Sequence, residues 1–169
     1  MANSERCFDL RKGDAHFKDE VVRAAGGETL TRCFACGICT GCCPVSEIDN
    51  RFRPSSIIQM VLLGQREELL KSPIIWYCWQ CYSCSFHCPQ GVKFASVVRV
   101  LRYMAVDEGF VSAELMEKLH DIEISVRKVR RRILDEFFEA YEKTGHIPDQ
   151  IDDIFEKSFL IKDSFSEEI

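Results

Sequence analysis

Eight of the ten cysteines fall into two copies of one run. The first is Cys33-x-x-Cys36-x-x-Cys39-x-x-x-Cys43-Pro44 and the second is Cys78-x-x-Cys81-x-x-Cys84-x-x-x-Cys88-Pro89. This is the spacing at which thiolates hold [4Fe–4S] cubanes. Three thiolates on a tight loop reach three corners of one cubane. The fourth, set apart by the longer gap and turned away by proline, ligates the other cluster. The spacing therefore predicts crossed ligation, with Cys33, Cys36, Cys39 and Cys88 on cluster 1 and Cys78, Cys81, Cys84 and Cys43 on cluster 2. The chemistry implied is one-electron transfer through two [4Fe–4S] clusters, with no catalytic side chain on the chain itself.

Competing uses of the cysteines fit the pattern less well. A zinc tetrahedron wants two C-x-x-C pairs, or cysteines with histidines, whereas here each run carries a third cysteine in step and a fourth before proline. The opening MANSERCFDLRKGD lacks the apolar segment of a secretory signal, so a reducing, cytoplasmic setting is expected, in which structural disulfides are rare. Cys42 stands beside Cys43 at a spacer position and reads as a spare thiol packed near the cluster, and Cys7 reads as a free cysteine in a polar stretch. His87 lies between Cys84 and Cys88 and is surplus as a ligand when all eight thiolates are present.

The chain has 169 residues, 46% of them hydrophobic, and a net charge of −5. That suits one compact domain with extensions. It argues against nucleic-acid binding, which favours a basic surface. No apolar run approaches the roughly twenty residues of a membrane span; the longest candidate, Ile57 to Leu63, is broken by Gln59 and stopped by Gly64. Direct membrane insertion is not expected.

The elements around the motifs read as helices. A short one is expected from Phe17 to Ala25, ended by Gly26 and Gly27. Gly37 and Gly41 are expected to let the first loop fold tightly, turning amides toward cluster sulfurs. Between the motifs, PSSIIQMVLLGQREELLKSP places Pro54 in a first turn and Ile57, Ile58, Val61 and Leu62 at helical spacing; Gly64 then ends or bends the helix, and a second runs from Gln65 to Leu70. After the second loop, Phe94, Val97, Val98, Leu101, Met104 and Ala105 form one face of a helix ending near Gly109. Trp76, Tyr77, Trp79, Tyr82 and Phe86 crowd the second loop, and Phe34 and Ile38 flank the first; they are candidates to tune the clusters by excluding water, or simply form a small hydrophobic core about each cubane, and both can hold at once.

The C-terminal third repeats Val126, Val129, Ile133, Phe137 and Tyr141 at helical steps, with Gly145 as a stop. Arg127, Lys128, Arg130, Arg131 and Arg132 are expected at the start of that helix, as a solvated face or a patch for an acidic partner. Beyond Pro148 an acidic tail keeps Ile151, Ile154, Phe155, Phe159, Leu160 and Phe165, expected to pack on another protein of a complex or to fold back on its own domain. The expected division is an N-terminal arm over 1–29, an all-α cluster domain over 30–110 and a helical C-terminal extension over 111–169.

The block CFACGICTGCCP, followed by PSSIIQMVLLGQREELLKSPIIWYCWQCYSCSFHCPQGV, resembles the C subunit of heterodisulfide reductase. The resemblance covers about Leu30 to Gly109, with AAGGETL before the first motif also in keeping. It implies an α-helical ferredoxin fold with two [4Fe–4S] clusters. It implies a complex with a flavin-carrying A subunit and a CCG-type B subunit, where the disulfide is reduced, while the C subunit relays single electrons between them. It further implies a setting in methanogenesis or flavin-based electron bifurcation, with a hydrogenase, a formate dehydrogenase or another module as electron source. In keeping with that division, the chain has neither a Gly-rich dinucleotide fingerprint nor a CCG repeat, because Cys42-Cys43 runs directly into Pro44.

Other readings remain. The iron–sulfur protein of succinate dehydrogenase or fumarate reductase would need a [2Fe–2S] domain before the first motif, where only Cys7 is available. Glycolate- or glycerol-3-phosphate-oxidising complexes usually fuse the helical ferredoxin to CCG repeats. A non-redox metal scaffold would be told apart by metal content alone.

Overall fold

Pro44, Pro54 and Pro73 each stand in the first turn of a helical segment, where a residue without an N–H removes no intrahelical bond. They punctuate a chain whose every regular element is helical among the described residues. The computed structural model describes residues 13–145. In chain order the helices are α1 (Phe17–Arg23), α2 (Ile38–Gly41), α3 (Pro44–Ile48), α4 (Pro54–Leu62), α5 (Arg66–Leu70), α6 (Ser83–Phe86), α7 (Phe94–Asp107) and α8 (Ala113–Thr144), with 3₁₀ turns at Leu30–Arg32 and Pro73–Trp76. The all-α architecture expected from the periodicities is the one observed.

Residues up to Ser112 form one unit and those from Ala113 a second. The first is organised around α7, which touches α1, α5 and α6. Its inward stripe of Phe94, Val97, Val98, Leu101 and Ala105 is essentially sealed from solvent, and it meets Phe17 and Val21 of α1, Ile57, Ile58 and Val61 of α4, and Leu69 and Leu70 of α5 in one core. Full burial of such a side chain stabilises by roughly 1.5–3 kcal/mol. Phe52 and Phe94 meet edge to face, ring centroids 6.3 Å apart.

The end of α4 shows how tightly this unit is closed. Gly64 adopts φ 73°, and the Gln65 N–H returns to the Met60 carbonyl at 2.9 Å, the reversal by which glycine ends a helix. The Gly64 carbonyl then accepts the Asp14 N–H at 2.8 Å. Arg66, just beyond this reversal, reaches Asp14 (2.9 Å), Glu20 (2.7 Å) and Glu108 (2.7 Å), tying the entry to α1, α1 itself and the end of α7 to one guanidinium.

Helix α8 runs for 32 residues with none of them buried. Ion pairs one turn apart brace it: Glu123 with Arg127 (3.5 Å), Asp135 with Arg131 (3.6 Å) and Glu139 with Lys143 (3.4 Å). The basic cluster Arg127–Arg132 was expected at the start of this helix and lies in its middle, because the helix begins at Ala113, where hydrophobic periodicity is weak but helix-forming residues are dense. Cys7 and the apolar tail residues Ile151, Ile154, Phe155, Phe159, Leu160 and Phe165 lie outside the described residues. No helix among the described residues is long and apolar enough to cross a membrane.

Candidate metal centre

The second motif repeats the first 45 residues on, and its backbone repeats with it. Each loop leaves a 3₁₀ turn whose core-facing residue, Leu30 or Ile75, is fully buried. Each then takes a positive φ at two matched places, Ala35 (61°) and Gln80 (54°), then Gly37 (79°) and Tyr82 (62°). Each finally enters a four-residue helix, α2 or α6. Alternating right- and left-handed residues turn successive N–H groups to one side and make an anion-receiving concavity. For an L-residue the left-handed region costs roughly 1–2 kcal/mol. Gly37 avoids that cost in the first loop, whereas Tyr82 bears it in the second. Gly41, expected to be needed for the tight turn, lies at the end of α2, outside the set of positive-φ glycines, with open space where a Cβ would stand.

Backbone amides point at the sulfurs. The Ala35 N–H donates to Cys33 Sγ at 3.4 Å and the Val92 N–H to Cys88 Sγ at 3.3 Å. Cys33, Cys36, Cys39 and Cys88 line one cavity, walled by Phe34, Ile58 and Phe94, and Cys84 reaches the same wall. Cys43 and Cys81 lie close enough to both Cys78 and Cys84 for their charges to be felt there. Cys43, Cys78 and Cys84 are buried and Cys81 is exposed; in the other group Cys36 is exposed and Cys33, Cys39 and Cys88 are half-buried. Thiols from both motifs thus line the first cavity, Cys33, Cys36 and Cys39 from one and Cys84 and Cys88 from the other, while Cys43 of the first motif lies near Cys78 and Cys84 of the second.

Burial pushes the Cys84 thiol up to about 12, with Cys78 as the next contribution, and Cys39 up to about 11, with Cys33 adding to it. Cys78 is also raised, chiefly by burial. Such thiols resist ionising alone, so a multivalent cation must draw off their protons as it binds. Among the described residues no three His, Cys, Asp or Glu side chains converge tightly enough to hold a lone ion. A zinc tetrahedron places every sulfur about 2.3 Å from one point, whereas a cubane offers four separated iron corners. Two groups of thiols, amides aimed at sulfur and left-handed loops fit [4Fe–4S] clusters.

The aromatic residues depart from expectation. Phe34 and Trp79 are each 58% exposed and Phe86 is 86% exposed; Tyr77, Tyr82 and Ile38 also face solvent. Phe34 and Ile38 still line the first cavity, but none of these side chains is buried. The fully buried apolar packing comes from α4 and α7 instead. Trp76 alone is half-buried, under the Arg102 guanidinium 5.3 Å from its ring centre. His87 donates from Nδ1 to the Ser83 carbonyl at 2.9 Å. The Cys42 thiol points to the Cys39 carbonyl at 3.7 Å.

Three polar side chains near the second loop escaped the motif reading. Gln80 Nε2 donates to Cys78 Sγ at 3.5 Å and to the Ala95 carbonyl at 3.2 Å. Arg102 donates to the carbonyls of Ile75 (3.0 Å), Trp76 (3.1 Å) and Cys78 (2.8 Å). Ser83 bonds the first loop at the Cys42 carbonyl. The signal for Gln80 and Tyr82 was present in the superposition of the two motifs, where they stand opposite Ala35 and Gly37.

Comparison with known proteins agrees with this centre. Residues 32–93 match the family model of the 4Fe-4S dicluster domain, which supports [4Fe–4S] clusters in this stretch. The resemblance to the C subunit of heterodisulfide reductase holds as well. The chain is 41% identical over 105 residues to the C subunit of the H2:CoB–CoM heterodisulfide, ferredoxin reductase of Methanothermobacter thermautotrophicus, covering 61% of this chain and 56% of the relative. It is 35% identical over 130 residues to the iron–sulfur C subunit of the CoB–CoM heterodisulfide reductase of Methanopyrus kandleri, covering 71% and 65%. With the C subunit of the ferredoxin:CoB–CoM heterodisulfide reductase of Methanosarcina acetivorans it shares 41% over 88 residues, 52% of this chain and 35% of that one. The chain spans about half the length of the curated relatives it matches. These relatives are subunits of an oxidoreductase and, as subunits, work within multi-subunit complexes.

Proposed function

We propose that this chain is the electron-relay component of a heterodisulfide-reductase-type complex, passing single electrons through two [4Fe–4S] clusters from the flavin-carrying A subunit to the disulfide-reducing B subunit. The observation that carries the reading is that Cys88 of the second motif lines one cavity with Cys33, Cys36 and Cys39, with Cys84 also at its wall, while Cys43 of the first motif lies near Cys78 and Cys84. Each set would hold one cluster with a ligand lent by the other motif. Bound there, the clusters would supply reversible one-electron chemistry at low potential.

The chain's own part is to hold, insulate and tune. The left-handed loops present amides that offset negative charge on sulfur. Ile58 and Phe94 exclude water on the core side, while the ligands Cys36 and Cys81 face outward, where a donor and an acceptor could approach. The cluster domain would span 30–110 and the extension 111–169 would serve attachment. The disulfide and the electron source, a hydrogenase or formate dehydrogenase module in the proposed setting, would belong to the partner proteins.

Anaerobic purification tests this. The protein should carry about eight irons with matching sulfide, and EPR of the dithionite-reduced sample should show two interacting cubanes. A zinc-only sample, or one cubane, would refute the relay. Reoxidation of the reduced protein by the B subunit, but not by buffer components alone, would support its place in the complex.

A further inference from the structure

The two loops are alike in backbone, and one of the positions at which their side chains differ reaches a ligand sulfur in the second loop only. Residues 35 and 80 occupy matched places with nearly the same left-handed φ, 61° and 54°, yet the first is alanine and the second glutamine. Glutamine gains nothing from that conformation by itself. What it gains is reach: its side-chain amide donates one N–H to Cys78 Sγ at 3.5 Å and the other to the Ala95 carbonyl of α7 at 3.2 Å. Both neighbours are acceptors, so the amide must present its nitrogen to them and not its oxygen.

We propose that Gln80 sets the reduction potential of the cluster held by Cys43, Cys78, Cys81 and Cys84, raising it through the N–H···S bond to Cys78. Reduction adds an electron, and a share of it resides on the sulfurs. A donor to a ligand sulfur is therefore bonded more strongly in the reduced state, and the couple shifts toward reduction. The shift is needed at this cluster more than at the other. Three of its four ligands, Cys43, Cys78 and Cys84, are buried at 8%, 8% and 6% exposure, and burial disfavours the more negative state. Arg102 adds to the same side by donating to the Cys78 carbonyl at 2.8 Å. At the matched place the first loop has only the methyl group of Ala35, beside ligands that are more open to water. Gln80 thereby offsets the burial that sets the second cluster apart from the first, and makes that cluster easier to reduce than it would be without this donor.

This inference rests on the proposed assignment of two cubanes, and the experiment keeps the two apart. Redox titration of the anaerobic protein, followed by EPR, is compared among wild type, Gln80→Ala and Gln80→Glu. Cys81→Ser marks which signal belongs to the second cluster. Alanine already occupies this conformation at position 35, so Gln80→Ala should fold and keep its iron. In Gln80→Ala the reduced-to-oxidised ratio of the second cluster at a fixed potential should fall about three- to tenfold, roughly 30–60 mV for a one-electron couple. Gln80→Glu, which places a charged acceptor against sulfur, should lower it further, and the first cluster should keep its potential in both. Two cubanes with unchanged potentials, or an equal shift of both, would overturn the role of Gln80. Loss of iron in Gln80→Ala would also overturn it, making the side chain structural. A wild-type protein without two cubanes would overturn the assignment beneath it.

Discussion

The Ser83 hydroxyl donates to the carbonyl of Cys42 at 3.1 Å, joining the start of α6 to the residue just before Cys43. Forty-one residues separate the two, and the bond brings the last thiol of the first motif to the loop of the second. Thr40 and Ser55, with oxygens 2.8 Å apart, fix the same turn to α4. The proposed crossed ligation would thus be supported by bonds between protein atoms that join the two loops and fix the turn before Cys43.

Cys43→Ala should consequently damage the cluster of Cys78, Cys81 and Cys84 and spare that of Cys33. Iron should fall from about eight to about four per chain, with the surviving EPR signal the one that Cys36→Ser alters. Loss of the Cys33 cluster instead would rule the crossing out. Ser83→Ala should leave both clusters bound and cost about 0.5–1.5 kcal/mol in denaturant unfolding.

Three glycines should answer differently to alanine. At Gly27 a Cβ would stand 1.7 Å from the Val21 carbonyl oxygen, and at Gly64 it would stand 2.4 Å from that of Asp14, with φ at 73°. Backbone cannot yield there, and each substitution should cost more than about 3 kcal/mol, in the range of severe core lesions. At Gly37 nothing lies within 4 Å, so only the left-handed conformation is penalised, by roughly 1–2 kcal/mol. Thermal unfolding of the iron-loaded protein should rank Gly37→Ala well above the other two.

Arg66→Met would strand three carboxylates around one apolar chain. Arg66 is 23% exposed and its partners 25–42%, so solvent screens the loss to about 1–2 kcal/mol, between exposed and buried pairs. The Asp14 carboxyl is held below its ordinary 3.8, first by the His16 N–H and then, against burial, by Arg66. Its contribution is therefore present above about pH 4 and is lost as pH falls below it. Acid unfolding of Arg66→Met should begin from a less stable state and show a shallower loss over that window.

Stripping the clusters exposes the thiols' own titration. Cys39 and Cys84 are held near 11 and 12 against an ordinary 9.0. A raised folded value means that the native state retains protons which the unfolded chain releases. Stability of the reduced, iron-free protein should thus be intact below about pH 9 and decline as pH rises toward about 11. Circular dichroism in denaturant at about pH 7.5 and about pH 10 checks the sign. The loaded protein should instead lose iron as pH falls, because protons compete for its thiolates.

Thiolate chemistry and helical periodicity are local properties, which is why the chain could be read so far unaided. Eight cysteines at fixed spacing named the metal chemistry, and apolar residues at three- and four-residue steps named α4 and α7 to within a few residues. Other features were settled only by packing. Tyr82 reads as an aromatic that would shield a cluster, yet the left-handed backbone demanded by its loop turns it outward. Trp79 and Phe34 are exposed as well, and no hydropathy scale distinguishes them from Phe52 or Phe94, which the helices enclose. Arg66 reads as one charge in a polar helix, but it binds acids 52, 46 and 42 residues away. Gln80 reads as a spacer, and its bond to sulfur exists only because α7 lies across the loop and its Ala95 carbonyl takes the second N–H. The candidate ligands were legible because their spacing is set by the metal; their surroundings were not, because those are set by which distant segment the core brings beside them.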